Sequence, residues 1–216
     1  MTGEPRIPLP ARTAQARLLV VVRAASADDY APVLDVLVEQ GIRSLELTLT
    51  TSGTLDALPD LVARYGGTAD VGVGTVTRAD ELRRAVDGGA AYLVTPVTDA
   101  ELVDLAVAAG AAIVPGGLTP TELHASWSRG AAAVKVFPAS QVSPSYVQDL
   151  RGPFPGIRVV PSGGIDLDGA ETWLRAGAAA VSVGGPLLGD ALRGGDLRAL
   201  AARARAFVDR CAAVPR

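Results

Sequence analysis

Eight short apolar runs recur along this 216-residue chain at roughly twenty-residue spacing, each followed by a segment with helical punctuation. They span 18–23, 44–49, 71–75, 92–96, 111–115, 133–138, 158–163 and 181–184. Runs that are apolar on both faces belong to parallel strands covered by helices. Ser26-Ala-Asp-Asp and Thr119-Pro120-Thr-Glu122 supply helix N-caps, while Gly41, Gly88-Gly89 and Gly110 supply stops. Eight such units in a chain of this length predict a single (β/α)8 TIM barrel over 11–216, with a short leading helix near 12–16 and a C-terminal helix over 196–211. A doubly wound open sheet is the runner-up, because spacing does not show closure. No GxGxxG follows the first strand, and Gly72-Val-Gly-Thr is too short for that motif. Residues 1–10, broken by Pro5, Pro8 and Pro10, are expected to be a flexible tail.

The totals narrow the function classes. A net charge of -3 gives no basic footprint for nucleic acid. No apolar run has the length of a membrane span, and the start lacks the apolar core of a signal peptide, so a cytoplasmic location is expected. One His and one Cys leave neither an internal disulfide nor a His/Cys metal cluster; only a carboxylate-held Mg²⁺ stays open. His124 and Cys211 are expected to be structural, as are Trp127 and Trp173.

Lys135 is the single lysine among 20 Lys and Arg, and it stands in the apolar run Ala131-Ala-Ala-Val-Lys-Val-Phe-Pro138. An arginine stays protonated, whereas a desolvated lysine can lose its proton and attack a carbonyl. With Val134 and Val136 facing the helices, Lys135 turns inward with Ala133 and Phe137. In the second strand Leu45, Leu47 and Leu49 face outward, which turns Glu46 inward. An amine and a carboxylate in one interior suit imine formation with proton transfer at a keto acid. A structural ion pair is the alternative, although buried pairs need not stabilise relative to apolar packing. Thr75 ends the third strand and offers a hydroxyl to the same mouth. Ser162-Gly163-Gly164 and Gly184-Gly185 end strands seven and eight, where barrels hold phosphates on backbone N–H groups.

These motifs resemble the 2-keto-3-deoxy-6-phosphogluconate / 4-hydroxy-2-oxoglutarate (KDPG/KHG) aldolase family over nearly the whole chain, from Leu18 to Leu188. The resemblance rests on Leu45-Glu-Leu-Thr-Leu49, Gly72-Val-Gly-Thr-Val76, Val94-Thr-Pro96, Val114-Pro-Gly116, Val134-Lys-Val-Phe-Pro138, Pro161-Ser-Gly-Gly-Ile165 and Val183-Gly-Gly185. It implies a class I aldolase, without metal or cofactor, that cleaves a 2-keto-3-deoxy sugar acid or 4-hydroxy-2-oxoglutarate to pyruvate and an aldehyde. Lys135 would form the imine and Glu46 would be the general acid/base. Thr50, Thr75, Pro96 and Phe137 would meet the pyruvate end. Ser162, Gly163, Gly164, Gly184 and Gly185 would receive the far, often phosphorylated, end. A homotrimer is expected, with no nucleic acid or membrane partner. Against the phosphogluconate members, Thr50 stands in place of an Arg, Ser162 of a Thr, Val97 of a Gly and Pro186 of a Ser. The phosphogalactonate branch likewise lacks that Arg. A phosphosugar isomerase or epimerase without a covalent intermediate is the competing reading, and a non-catalytic keto-acid binder is the third.

Overall fold

The computed structural model describes residues 6–216. The element order is α1 (Ala11–Ala16), β1 (Leu18–Val22), α2 (Tyr30–Glu39), β2 (Ser44–Thr48), α3 (Thr54–Tyr65), β3 (Asp70–Gly74), α4 (Ala79–Asp87), β4 (Leu93–Val94) and α5 (Ala100–Ala108). It continues with β5 (Ile113–Val114), β6 (Gly116–Gly117), α6 (Pro120–Ser128), β7 (Val134–Val136), α7 (Tyr146–Arg151), β8 (Val159–Pro161), α8 (Leu167–Arg175), β9 (Val181–Val183), α9 (Gly185–Leu188) and α10 (Leu197–Ala213). The helices start where their caps predict. Ser26 and Thr119 each form a capping box, and Asp99, Asp166 and Asp196 each accept a backbone N–H from the first turn.

This is an α/β fold with a curled, wholly parallel sheet. Six strands run in the order β5-β4-β3-β2-β1-β9 and three in the order β6-β7-β8. From β1 to β5 the order follows the chain, without the reversal that marks a doubly wound sheet. The fifth apolar run is divided between β5 and β6 at Pro115, which has no N–H for the ladder but accepts from the Lys135 N–H at 2.7 Å. Between β8 and β9 there is a single parallel bridge, Ser162 to Ser182.

Strand alternation separates two apolar clusters. Val20, Leu45, Leu47, Val71, Val73, Ile113, Val134, Val136, Val159 and Val181 pack outward against the helices. Leu19, Tyr92, Val94, Ala112, Val114, Ala133, Val160 and Ala180 form a second cluster on the inner face, joined by Leu9. The small inner residues are what let so tight a curl close over its own contents.

The floor of this interior is polar. Thr13 of α1 is fully buried, and its backbone N–H donates to Asp70 Oδ2 at 2.7 Å. Its hydroxyl lies 2.9 Å from the same oxygen and 2.8 Å from Ser44 Oγ, which in turn lies 2.9 Å from the Tyr92 hydroxyl. A carboxylate only accepts, so the Thr13 hydroxyl donates toward Asp70, with Ser44 as its second acceptor, and Ser44 donates to the Tyr92 hydroxyl.

Residues 1–5 of the expected tail lie outside the described residues. From Arg6 onward the chain is docked. The Arg6 guanidinium donates to the carbonyls of Trp127 and Ala131 at 2.7 and 2.6 Å and sits 3.5 Å above the Trp127 ring, and Leu9 is buried. The prolines read as tail punctuation, but the arginine and leucine between them have partners that sequence spacing does not reveal. Among the described residues no helix is long and apolar enough to cross a membrane. Asp70→Ala strands two buried donors of Thr13, so it is expected to lower stability by about 2–3 kcal/mol, read as a drop in Tm.

Candidate active site

Lys135 projects from the middle of β7 to the inner face, and Glu46 does so from the middle of β2. Both residues are buried, Lys135 to 8% residual exposure and Glu46 to 1%. Lys135 Nζ lies 3.9 Å from Glu46 Oε1, far enough that the amine is not locked in a short hydrogen bond. Glu46 Oε2 is buried with no hydrogen-bond partner among the described residues. A carboxylate oxygen left without a donor is costly to bury, and it is available to the proton of a bound substrate or water. Phe137, two residues beyond Lys135, places its ring centroid 5.2 Å from Nζ and is 39% exposed at the mouth.

Above this pair opens a cavity of about 840 Å³. Thr75 and Pro96, at the ends of β3 and β4, line one side with Glu46, Lys135 and Phe137. Ser162, Gly163 and Gly164 line it beyond β8, and Gly184 and Gly185 beyond β9. Gly163 and Gly164 both have left-handed φ angles, +96° and +78°, a turn that only glycine makes without strain. Thr75 has φ +61° as a β-branched residue, which marks local strain at the cavity wall.

Thr50 is the one sequence-predicted site residue that does not line the cavity. Its Oγ1 lies 3.1 Å from Thr48 Oγ1, beside the cluster of Thr51 and Thr54 hydroxyls that ties the β2–α3 connection. With short hydroxyl neighbours at hand, the side chain satisfies itself locally rather than reaching into the mouth.

Three polar wall residues have no place in the motif reading. Arg23 stands one step past β1, in phase with the inward Leu19 and Val21; extending that alternation by two would have found it. Ser182 is the inward residue of β9, and its Oγ accepts from Ser162 Oγ at 3.2 Å. Arg193 ends a single 3-10 turn, Ala191–Arg193, that follows α9 and is too short to carry a periodic signal. Arg23 and Arg193 are exposed and have no ion-pair partner among the described residues. The mouth is thereby cationic at its rim, with a single anionic group below. Among the described residues no three His, Cys, Asp or Glu side chains gather as a metal-binding group. His124 stacks on Phe154 with 4.2 Å between ring centroids. Cys211 is buried in α10, and burial pushes its thiol up to about 11.

The model of the family described as "KDPG and KHG aldolase" matches residues 9–202, and the chain belongs to that family. It is 35% identical over 180 residues to the 2-dehydro-3-deoxy-phosphogluconate aldolase of Dickeya dadantii, covering 82% of this chain and 84% of that one. It is 29% identical over 171 residues to the 2-dehydro-3-deoxy-6-phosphogalactonate aldolase of Escherichia coli, covering 79% and 83%. The structure is similar, with a TM-score of 0.79 and 25% identity, to a KDPG aldolase from Legionella pneumophila in which pyruvate is captured as a covalent carbinolamine; the match covers 94% of this chain and 96% of that one.

The Thr75 strain gives a separable expectation. Thr75→Gly relieves about 1 kcal/mol of backbone strain while removing the hydroxyl. Its Tm should stay within a few degrees of the parent, while kcat/KM falls; a Tm loss as large as that of a core deletion would refute the strain assignment.

Proposed function

We propose that this protein is a class I aldolase that cleaves a phosphorylated 2-keto-3-deoxy sugar acid to pyruvate and an aldehyde, with Lys135 as the imine-forming residue and Glu46 as the proton-transfer group. The observation that carries the reading is the only lysine of the chain buried 3.9 Å from a carboxylate that keeps one oxygen unpartnered. A structural ion pair would be expected to satisfy both oxygens.

The neutral Lys135 amine adds to the C2 keto carbon of the substrate, and proton transfer followed by loss of water gives the imine. Glu46 then accepts the proton of the C4 hydroxyl as the C3–C4 bond breaks. The electrons of that bond pass into the imine, giving an enamine, and the aldehyde departs. Return of the proton to C3 and hydrolysis of the imine release pyruvate and the free lysine. Phe137 and Pro96 wall the reacting carbons, and Thr75 offers a hydroxyl to the pyruvate carboxylate.

The remaining groups set the substrate class. With Thr50 outside the cavity, Arg23 supplies a cation at the mouth on the β1 side. The glycine turns beyond β8 and β9, with Arg193, suit the far anionic end of the substrate. The volume of about 840 Å³ holds a six-carbon phosphorylated acid rather than pyruvate alone. Pro186 can offer neither a hydroxyl nor an N–H to a phosphate, which leaves that task to the glycines and the guanidinium.

We also infer that the curled sheet closes into an eight-unit barrel. Support comes from the continuity of β5 into β6 across Pro115 and from the Ser162–Ser182 bridge, which join the two ladders at both ends. A homotrimer working in the cytoplasm is part of the same reading; Val97, an apolar side chain 54% exposed, suits a subunit contact.

Borohydride added with pyruvate is expected to fix a pyruvyl mass on Lys135 alone, located by peptide mapping. Lys135→Arg should abolish trapping and turnover in a folded protein, and turnover that survives it would favour the isomerase alternative. Glu46→Gln should lower kcat by about 10²-fold or more while trapping persists. In a substrate panel, phosphorylated 2-keto-3-deoxy acids should exceed 4-hydroxy-2-oxoglutarate in kcat/KM, and Arg193→Ala should narrow that preference by raising KM for the phosphorylated acids.

A further inference from the structure

The inner face of β3 carries almost no side chains above its first residue. Asp70, Gly72 and Gly74 face inward, and they pair in register with Ser44, Glu46 and Thr48 of β2. A Cβ on Gly74 would collide with the Glu46 carboxylate, and a Cβ on Gly72 would collide with the phenol end of the Tyr92 ring. The two glycines are therefore adjacent sockets, about 7 Å apart along one strand, holding the carboxylate in the upper one and the ring in the lower one. Tyr92 is fully buried, and its hydroxyl is anchored to Ser44, the inward residue next below Glu46 on β2.

The order along the interior is thus Glu46 carboxylate, Tyr92 ring, then the Ser44–Thr13–Asp70 polar floor. Glu46 Oε2 has no donor among the described residues, yet a hydroxyl that could donate to it sits one layer down. A buried carboxylate would gain a hydrogen bond by dropping toward Ser44. The aromatic ring stands in the way.

We propose that Tyr92 is a positioning residue for the reaction: its ring, keyed to Ser44, blocks Glu46 from collapsing onto the polar floor and so keeps the carboxylate raised beside Lys135. The proximity has an electrostatic counterpart. Burial raises the Tyr92 phenol well above its ordinary range, and the Glu46 charge pushes in the same direction. Tyr92 therefore stays neutral and accepts the Ser44 hydroxyl proton, which keeps that donor engaged below the ring.

The inference rests on Glu46 being the proton-transfer group, and the experiment separates the two claims. Tyr92→Phe keeps the blocking ring and should retain kcat within about threefold of the parent. Tyr92→Leu opens the lower socket and should lower kcat by about tenfold or more, while the rate of borohydride trapping of pyruvate on Lys135 stays within about threefold. Adding Ser44→Ala to Tyr92→Leu removes the competing hydroxyl and should recover part of the lost kcat. Tyr92→Met, longer and more adaptable, serves the same comparison if the leucine variant does not fold by circular dichroism. Wild-type turnover in a folded Tyr92→Leu or Tyr92→Met protein would overturn the proposal. So would equal losses in turnover and trapping, or a Ser44→Ala addition that recovers nothing. Failure of the parent reading looks different: Glu46→Gln would then leave kcat unchanged.

Discussion

Everything at the working end of this fold depends on holding an amine and a carboxylate together where water is scarce. Lys135 and Glu46 come from strands far apart in sequence and sit on opposite ladders of the curled sheet. In a low-dielectric interior their attraction is strong, but desolvating each is costly, so the pair is tolerated only where the surrounding residues fix both. The outward valines flanking Lys135 and the outward leucines flanking Glu46 do that fixing. Turning either side chain away would take two fully buried aliphatic residues out of their packing against the helices and drive a charged group into that apolar layer. The apolar outer layer is thus what keeps the polar pair facing inward.

That coupling is also why the pair could be read from the sequence. Alternation with a period of two is a direct consequence of strand geometry, and it gave the inward sense of Glu46 and Lys135 without any tertiary information. Continued by one step past each strand, the same rule accounts for Arg23 after Leu19 and Val21. It fails where the backbone leaves the strand. Thr50 lies beyond β2 in a turn whose threonine hydroxyls bond to one another, and no strand phase governs its direction there. Arg193 ends a short 3-10 turn after α9, where only the folded chain shows what it reaches. The strands are shorter than the apolar runs for a related reason. Apolar residues continue past the last ladder bond, and a proline such as Pro115 divides a run that composition alone presents as one strand.

The interior is graded along its axis. At the bottom, Asp70 gathers the N–H and hydroxyl of Thr13 and so fixes α1 as a plug. The middle is apolar and small, with Ala112, Ala133 and Ala180 around the Tyr92 ring. At the top, the chemistry-bearing groups meet a rim with two unpaired guanidiniums among the described residues. An anionic substrate is attracted by the guanidiniums of the rim, while Lys135 offsets the Glu46 carboxylate beneath it. Charge therefore separates binding from reaction.

This grading gives the two glycines of β3 a meaning that turn statistics do not supply. Gly72 and Gly74 lie in a regular strand where nothing about φ demands glycine, and glycine weakens a strand relative to residues with side chains. Their value is the space they leave. One socket admits a carboxylate and the other the end of an aromatic ring, so β3 contributes to the interior by what it omits. The motif around Thr75 can then be understood as a single device: two sockets that seat neighbouring side chains, followed by a strained residue that turns its hydroxyl toward the cavity. The backbone cost of three unfavourable local choices is offset by the geometry they impose on one buried carboxylate.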